Sequence, residues 1–139
     1  LSVVKNTGLL GRWQVLQQNP MVICDTAHNK HGLNIVLQQL KESTYDNLHI
    51  VLGLVNDKDL QEILSLFPTK SNYYFCSPNI SRGLDVSILA EKAAEFSLFG
   101  NSFSSVSDAY KAAASQALPT DLIYVGGSTF VVAEILNLF

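Results

Sequence analysis

The stretch RWQVLQQNPMVICDTAHNKHG, residues 12–32, decides the fold. It contains two short runs of strand-forming residues, at 12–16 and 21–24, joined only by residues 17–20. Parallel strands need a crossover of about a dozen residues or more, so this short link predicts an antiparallel hairpin. If the strands pair about Gln18 and Asn19, Arg12 lies opposite Asp25.

Outward from this hairpin, short strands alternate with helical patterns. Further strands are predicted at residues 48–54, 73–76, 103–106 and 122–125. Apolar stripes with helical spacing span residues 33–40, 60–67, 88–96, 107–118 and 130–138. Asp59 and Glu62 have the spacing of a capping box for the second helix, and Gly100 is expected to cap the third. This alternation predicts a three-layer α/β domain, with a mainly parallel sheet and helices on both faces.

The composition is that of one globular domain, with 139 residues of which 47% are hydrophobic and 15% charged. The net charge is −3 and no Lys/Arg cluster occurs, so no nucleic-acid partner is expected. No apolar run approaches the roughly 20 residues that cross a membrane, and residues 1–10 do not read as a signal peptide. The predicted location is therefore the cytoplasm, without a membrane partner.

Cys24 and Cys76 lie in apolar runs, without a His or second Cys at metal-ligand spacing. Free cysteines in such runs are usually small core residues. Both are therefore predicted to be buried, and no metal site is predicted.

Ligands of open α/β sheets bind beyond the carboxyl ends of the parallel strands. In this sequence the hairpin brings Arg12 to that edge, together with the loops at residues 25–32, 55–58, 77–83 and 126–128. Arg offers a planar fork for phosphate oxygens, and Asp accepts hydrogen bonds from sugar hydroxyls, so Arg12 and Asp25 fit a nucleotide. A cross-strand ion pair between the two side chains explains the same pattern.

Other polar residues at this edge also have two interpretations. His28 is either a catalytic group or a hydrogen-bonded turn residue, and Asn29 is either a ligand contact or the N-cap of the next helix. Lys58 lies beside a predicted helix start, where it can hold a carboxylate or phosphate, although residues 55–59 also fit a solvated turn. Residues 126–128, GGS, match neither a dinucleotide fingerprint nor a hydrolase elbow, but a helix N-terminus there can bind an anion.

Taken in order, Gly11-Arg12, Asp25-x-Ala27-His28-Asn29, Asp57-Lys58-Asp59 and Gly127-Ser128 resemble the C-terminal domain of folylpolyglutamate synthase/dihydrofolate synthase, in the Mur ligase superfamily. The similarity extends over residues 11–139. It implies a Rossmann-like domain at residues 12–139, with a six-stranded sheet that is parallel except for one strand. Residues 1–11 would then be the remnant of an interdomain linker.

The resemblance implies an ATP-dependent ligase of folate biosynthesis. Such enzymes use ATP and Mg²⁺ to phosphorylate a carboxylate of dihydropteroate or a folate, and the amine of glutamate then attacks the acyl phosphate to form an amide. By resemblance, Arg12 contacts the ATP phosphates and Asp25 the ribose. His28 and Asn29 line the nucleotide or catalytic cleft.

For the incoming glutamate, the resemblance implies contacts from Asp57, Lys58 and Ser128, and it makes His28 and Lys58 the catalytic candidates. We expect Ala in place of Asp25 or His28 to reduce turnover far more than stability. The reason is that substitutions in surface loops usually change stability by about 0.5 kcal/mol or less.

The sequence contains no GxxxxGK[ST] loop. The phosphate cradle and most Mg²⁺ ligands are therefore expected on a preceding N-terminal ATPase domain, onto which this domain closes. This chain alone is expected to be inactive. Two alternatives stay open, namely the C-terminal domain of a peptidoglycan-precursor ligase and a noncatalytic α/β module that binds a small anion or a partner.

Overall fold

The structure, a computed structural model, describes residues 11–57 and 59–139. Of the predicted linker at residues 1–11, only Gly11 is therefore described. Lys58, predicted to bind glutamate and to take part in catalysis, also lies outside the described residues.

The described chain forms six strands and five helices in alternating order. The strands are β1 (Gln14–Gln17), β2 (Met21–Asp25), β3 (Leu48–Gly53), β4 (Asn72–Cys76), β5 (Gly100–Ser102) and β6 (Leu122–Gly126). The helices are α1 (Lys30–Glu42), α2 (Leu60–Ser65), α3 (Val86–Ala94), α4 (Val106–Gln116) and α5 (Thr129–Leu136). None of these helices is long and apolar enough to cross a membrane.

One six-stranded sheet organises the domain, in the order β1-β2-β6-β3-β4-β5. Strand β1 is antiparallel to β2, and the other neighbouring pairs are parallel. The predicted mainly parallel sheet with one antiparallel strand is confirmed. The link of residues 17–20 was the decisive signal, because it is too short for a parallel crossover.

Alternation along the strands builds a core on each face of the sheet. Helices α1, α2 and α3 pack on one face, against residues that include Ile23, Ile50, Leu52, Phe75 and Tyr124. Helices α4 and α5 pack on the other, against residues that include Val22, Cys24, Val51, Ile123 and Val125. The three-layer architecture is therefore confirmed.

The two cysteines are core residues, as predicted. Cys24 and Cys76 are both free thiols and both buried. Burial raises the pKa of each thiol to about 12. Both side chains therefore stay un-ionised at neutral pH and act as small apolar groups.

The predicted register of the hairpin was wrong by one residue at its open end. Gln14 pairs with Cys24 and Gln17 with Val22, with an irregularity between Val15 and Gln17. Pro20 has no N–H to donate to a ladder, so the turn extends to include it, and the bulge in β1 then shifts the pairing again. As a result Trp13, rather than Arg12, lies beside Asp25.

Three local predictions also fail. The fifth strand is Gly100–Ser102, not residues 103–106, because Ser105 caps α4 by accepting a hydrogen bond from the Asp108 N–H at 3.0 Å. Gly100 belongs to that strand and does not cap α3, which ends at Ala94. No capping box forms at α2, because the Asp59 side chain makes no cap hydrogen bond.

Candidate functional site

The candidate site lies where two adjacent strands send the chain to opposite faces of the sheet. The chain leaves β2 for α1 on one face, and it leaves the neighbouring β6 for α5 on the other. A crevice forms at such a switch point, beyond the carboxyl ends of the strands. A cavity of about 520 Å³ opens here, lined by Arg12, residues 25–29, the start of α1 and Thr129. Its volume suits a small-molecule ligand.

Asp25 organises the floor of this cavity. Its Oδ2 accepts a hydrogen bond from the Trp13 N–H at 2.8 Å, and its Oδ1 accepts one from the Ala27 N–H at 2.8 Å. Trp13 has a φ of 42°, which is uncommon for a residue other than glycine, and the Asp25 contact helps to hold it there. A carboxylate has about four lone-pair positions, so Asp25 can still accept a bond from a ligand.

Arg12 presents an exposed guanidinium to the cavity. The cross-strand ion pair with Asp25 does not form, and no described carboxylate lies within 4.0 Å of the Arg12 guanidinium. The shift of register explains this, because Trp13 takes the position beside Asp25. The planar donor fork of Arg12 is therefore available to an anion.

His28 and Asn29 have different local roles. The Asn29 Oδ1 accepts a hydrogen bond from the Gly32 N–H at 2.8 Å and caps α1, which bears out the capping interpretation. His28 is exposed, and its Nδ1 lies 3.2 Å from the carbonyl oxygen of Thr26. If Nδ1 carries the proton of the neutral ring, Nε2 is left as an acceptor at the mouth of the cavity.

The two described residues predicted for glutamate, Asp57 and Ser128, do not line this cavity. Asp57 is exposed, and its Oδ1 accepts a hydrogen bond from the Asp59 N–H at 2.9 Å. Ser128 is only 1% exposed and caps α5, with its hydroxyl accepting from the Phe130 N–H at 3.1 Å. Both lie at the same edge of the sheet, at the ends of β3 and β6.

Sequence reasoning missed another cation at this edge, Arg82. Its loop is joined to the one after β3, because Val55 bridges Gly83 and the Asn56 N–H donates to the Arg82 carbonyl at 2.9 Å. The exposed guanidinium lies 5.6 Å from the centre of the Phe130 ring, within cation–π range. The available signal was that Arg82 is the one Lys or Arg within residues 77–83.

A buried polar cluster at the opposite edge was also missed. His49 Nε2 lies 3.0 Å from Asp121 Oδ2, and His49 Nδ1 lies 2.9 Å from the Tyr74 hydroxyl. Asp121 also accepts from the N–H groups of Asn47 and Leu118. His49, Tyr74 and Asp121 are far apart in the sequence, so no local motif identifies them. All of their polar groups are paired with each other or with nearby backbone, which makes the cluster structural.

Over residues 11–57 and 59–139, no three His, Cys, Asp or Glu side chains are placed to hold an ion together.

Comparison with known proteins gives a family match over most of the chain. The model of the family described as "Mur ligase, glutamate ligase domain" matches residues 11–129. That range includes every predicted site residue.

Individual relatives agree with this match. A probable bifunctional folylpolyglutamate synthase/dihydropteroate synthase of Haloferax volcanii is 35% identical over 134 residues, which is 94% of this chain and 16% of that protein. The structure of Escherichia coli FolC in complex with DHPP and ADP matches with a TM-score of 0.85 and 30% identity, covering 94% of this chain and 31% of that one.

A further solved structure is similar, a bifunctional folylpolyglutamate synthase/dihydrofolate synthase with Mn, AMPPNP and L-glutamate bound. It has a TM-score of 0.81 and 27% identity, covering 92% of this chain and 31% of that one. This chain therefore spans between about a sixth and a third of the length of these three proteins.

Proposed function

Because the chain belongs to the Mur ligase family, as a glutamate ligase domain, we propose that it is the C-terminal domain of an ATP-dependent ligase that adds glutamate to folate or dihydropteroate. ATP phosphorylates a carboxylate of the acceptor. The glutamate amine then attacks the acyl carbon, the phosphate leaves, and an amide forms. Carboxylate is a poor electrophile, so the acyl phosphate supplies the leaving group that the amine needs.

The nucleotide is assigned to the cavity at the switch point. Arg12 extends its fork toward the phosphates, where it offsets negative charge that develops during transfer. Asp25 accepts a hydrogen bond from the ribose. His28 and Asn29 line the same cleft, and His28 is the candidate for proton transfer near the reacting groups.

Glutamate is assigned to the neighbouring loops, at the ends of β3 and β6. Lys58 and Asp57 come from the first of these loops and Ser128 from the second. A free amino acid presents carboxylates and an ammonium group, which cations and acceptors recognise respectively. Arg82 adds a second cation beside this loop pair, held by its contact with Phe130.

The domain works together with an N-terminal ATPase domain, which is the partner that the missing phosphate loop implies. Mg²⁺ accompanies ATP in this scheme. We assign no residue of this chain to Mg²⁺, because the described residues do not form a metal-ligand set. The cytoplasm is the proposed location of the reaction.

One observation carries the assignment. Arg12, Asp25 and His28 surround a single cavity at the switch point, in a chain that matches the family over residues 11–129. Neither an isolated anion site nor a helix cap requires all three side chains at one cavity.

The test is phosphate release from ATP by the longer protein that contains this domain, with glutamate and either folate or dihydropteroate supplied. We expect release that depends on both co-substrates, and none from this chain alone. Arg12→Ala should reduce it, whereas the control Lys70→Ala, an exposed cation lining a different cavity, should not. Release that depends only on a peptidoglycan precursor, or no release with any acceptor, would overturn the proposal in favour of the other ligase or the noncatalytic module.

A further inference from the structure

Tyr124 buries a hydroxyl that has no partner. The side chain lies in β6, the residue is 0% exposed, and its hydroxyl makes no hydrogen bond within the described chain. Buried polar atoms in proteins are nearly always bonded, and each exception requires an explanation. A Phe in this position would fill the same space in the core without leaving an oxygen unpaired.

The hydroxyl lies at the switch point. Gly126 is two residues further along β6 and therefore faces the same side of the sheet. A Cβ added to Gly126 would overlap the Tyr124 hydroxyl and would lie 2.9 Å from the carbonyl oxygen of Asp25. The phenol thus extends along the strand toward the carboxyl edge, and its oxygen ends next to the last residue of β2. Glycine at position 126 leaves the room for it.

A comparison with Tyr73 shows that this orphan is unusual for the same core. Tyr73 is also buried and also packs in the core on the α1 face. Its hydroxyl donates to the carbonyl oxygen of Pro68 at 2.5 Å. The Tyr73 oxygen therefore stabilises the fold, whereas the Tyr124 oxygen does not.

We propose, on the basis of the proposed function, that Tyr124 is a further nucleotide-recognition residue, whose hydroxyl forms its hydrogen bond to a ribose hydroxyl when the segment at residues 25–29 shifts over bound nucleotide. The adjacent Asp25 is the ribose contact assigned above, so both groups would recognise the same part of the ligand. Burial, and to a lesser extent the Asp25 carboxylate, raise the pKa of Tyr124, so the phenol keeps its proton and can donate.

The experiment compares Tyr124→Phe with Tyr73→Phe in the longer protein, by calorimetric titration with ADP and by thermal unfolding. Tyr124→Phe should keep or raise the melting temperature and weaken ADP binding about threefold to tenfold, the effect of one neutral hydrogen bond. Tyr73→Phe should lower the melting temperature and leave ADP affinity unchanged, because it removes a bond that lies away from the site.

Deoxy nucleotides locate the contact. The wild type should bind ADP more tightly than 2′-deoxy-ADP or 3′-deoxy-ADP, and Tyr124→Phe should lose that preference for one of the two. Equal ADP affinity in Tyr124→Phe and the wild type, or an unchanged preference among the three nucleotides, would overturn the assignment. Failure of the wild type to bind ADP at all would instead overturn the proposed function.

Discussion

At the scale of single residues, Asp25 and His28 stand three positions apart but are coupled to the fold very differently. Asp25 holds two backbone N–H groups, those of Trp13 and Ala27, whereas His28 is exposed with one contact to a neighbouring carbonyl. Asp25→Ala should therefore reduce the free energy of unfolding by about 1–3 kcal/mol, since both donors lose their partner. His28→Ala should change it by about 0.5 kcal/mol or less.

Urea denaturation of each variant measures these differences, and phosphate release by the longer protein measures turnover. Both variants should reduce turnover, but only His28→Ala reports on chemistry alone. The structure thus changes the expectation drawn from sequence, which treated both as surface-loop substitutions. Equal stability of the two variants would show that the Asp25 contacts contribute little.

At this scale, roles that depend on neighbouring residues in the sequence could be predicted, and contacts between distant residues could not. Asp25, His28 and Asn29 could be selected from a local pattern, and Asn29 also from its place before a helix. The partnership of Asp25 with Trp13 could not, because it depends on a bulge and a turn length that shift the register. The unpaired hydroxyl of Tyr124 could not be predicted for another reason. Tyr124 lies within an apolar strand, and nothing in the sequence distinguishes it from an ordinary core residue.

At the scale of elements, substitutions of Asn29 at the start of α1 can distinguish its role as a helix cap from a role in binding. The first turn of α1 has no acidic residue, and the Asn29 side chain caps it. Asn29→Ala should therefore destabilise the domain by about 1 kcal/mol. Asn29→Asp keeps an acceptor and adds a negative charge at the positive end of the helix dipole, so its stability should equal or exceed that of the wild type.

Thermal unfolding of both variants checks the cap. The KM for ATP of the longer protein checks binding, and an amide that donates to the nucleotide predicts a higher KM for both variants. A loss of stability in Asn29→Asp as large as in Asn29→Ala would contradict the capping account. An unchanged KM in both would leave Asn29 as a cap without a ligand role.

The buried cluster of His49, Tyr74 and Asp121, at the edge of the sheet opposite the candidate site, should make the stability of the domain sensitive to acid. Burial alone would raise the pKa of Asp121, but hydrogen bonds from Leu118, His49 and Asn47 outweigh it and hold the pKa below its ordinary value. The folded state therefore favours the carboxylate, so this stabilisation is present above the unfolded-state pKa of about 4 and is lost as the pH falls below it. His49 and Tyr74 face Asp121 across the cluster.

Urea denaturation at pH 7, 5, 4 and 3 tests whether the free energy of unfolding falls with pH in this way. Asp121→Asn should be less stable than the wild type at pH 7, because the acceptor Oδ2 shared by His49 and Leu118 is lost. The difference should narrow below about pH 4, because the unfolded wild type takes up a proton at Asp121 there, before the folded carboxylate does. Parallel curves from pH 7 to pH 3 would assign the stability of this edge to packing alone.

Existence of the elements was easier to predict than their bounds. The period of the apolar residues is set by burial against the sheet, so five helices and the strands between them could be located. Strand β5 could not, because Gly100, Asn101 and Ser102 are exposed and polar, and only backbone pairing with β4 makes them a strand. The Gly100 backbone lies so close to Tyr73 that a Cβ would overlap it, which explains the glycine without any helix cap.

At the scale of the whole molecule, the two cores share one sheet. Every central strand contributes alternate side chains to both faces, so loss of one core exposes the strands that support the other. Cooperative unfolding follows for β2, β3, β4 and β6. Strand β1 differs, because among the described strands it lies at the sheet edge and pairs with β2 alone, and it follows the segment with Arg12 and Trp13.

Trp13 provides a local probe of that edge, since it is the one tryptophan in the sequence and packs partly buried against the α1-side core. The contact of Asp25 with Trp13 ties the probe to the candidate site. If β1 folds with the rest, tryptophan fluorescence and far-UV circular dichroism of this chain should follow one urea transition with the same midpoint. Asp25→Ala should separate the two midpoints, with fluorescence changing first. Coincident transitions in the wild type mean that the segment carrying Arg12 folds together with the sheet, whereas an earlier fluorescence transition would mean that this side of the candidate cavity is less stable than the rest of the domain.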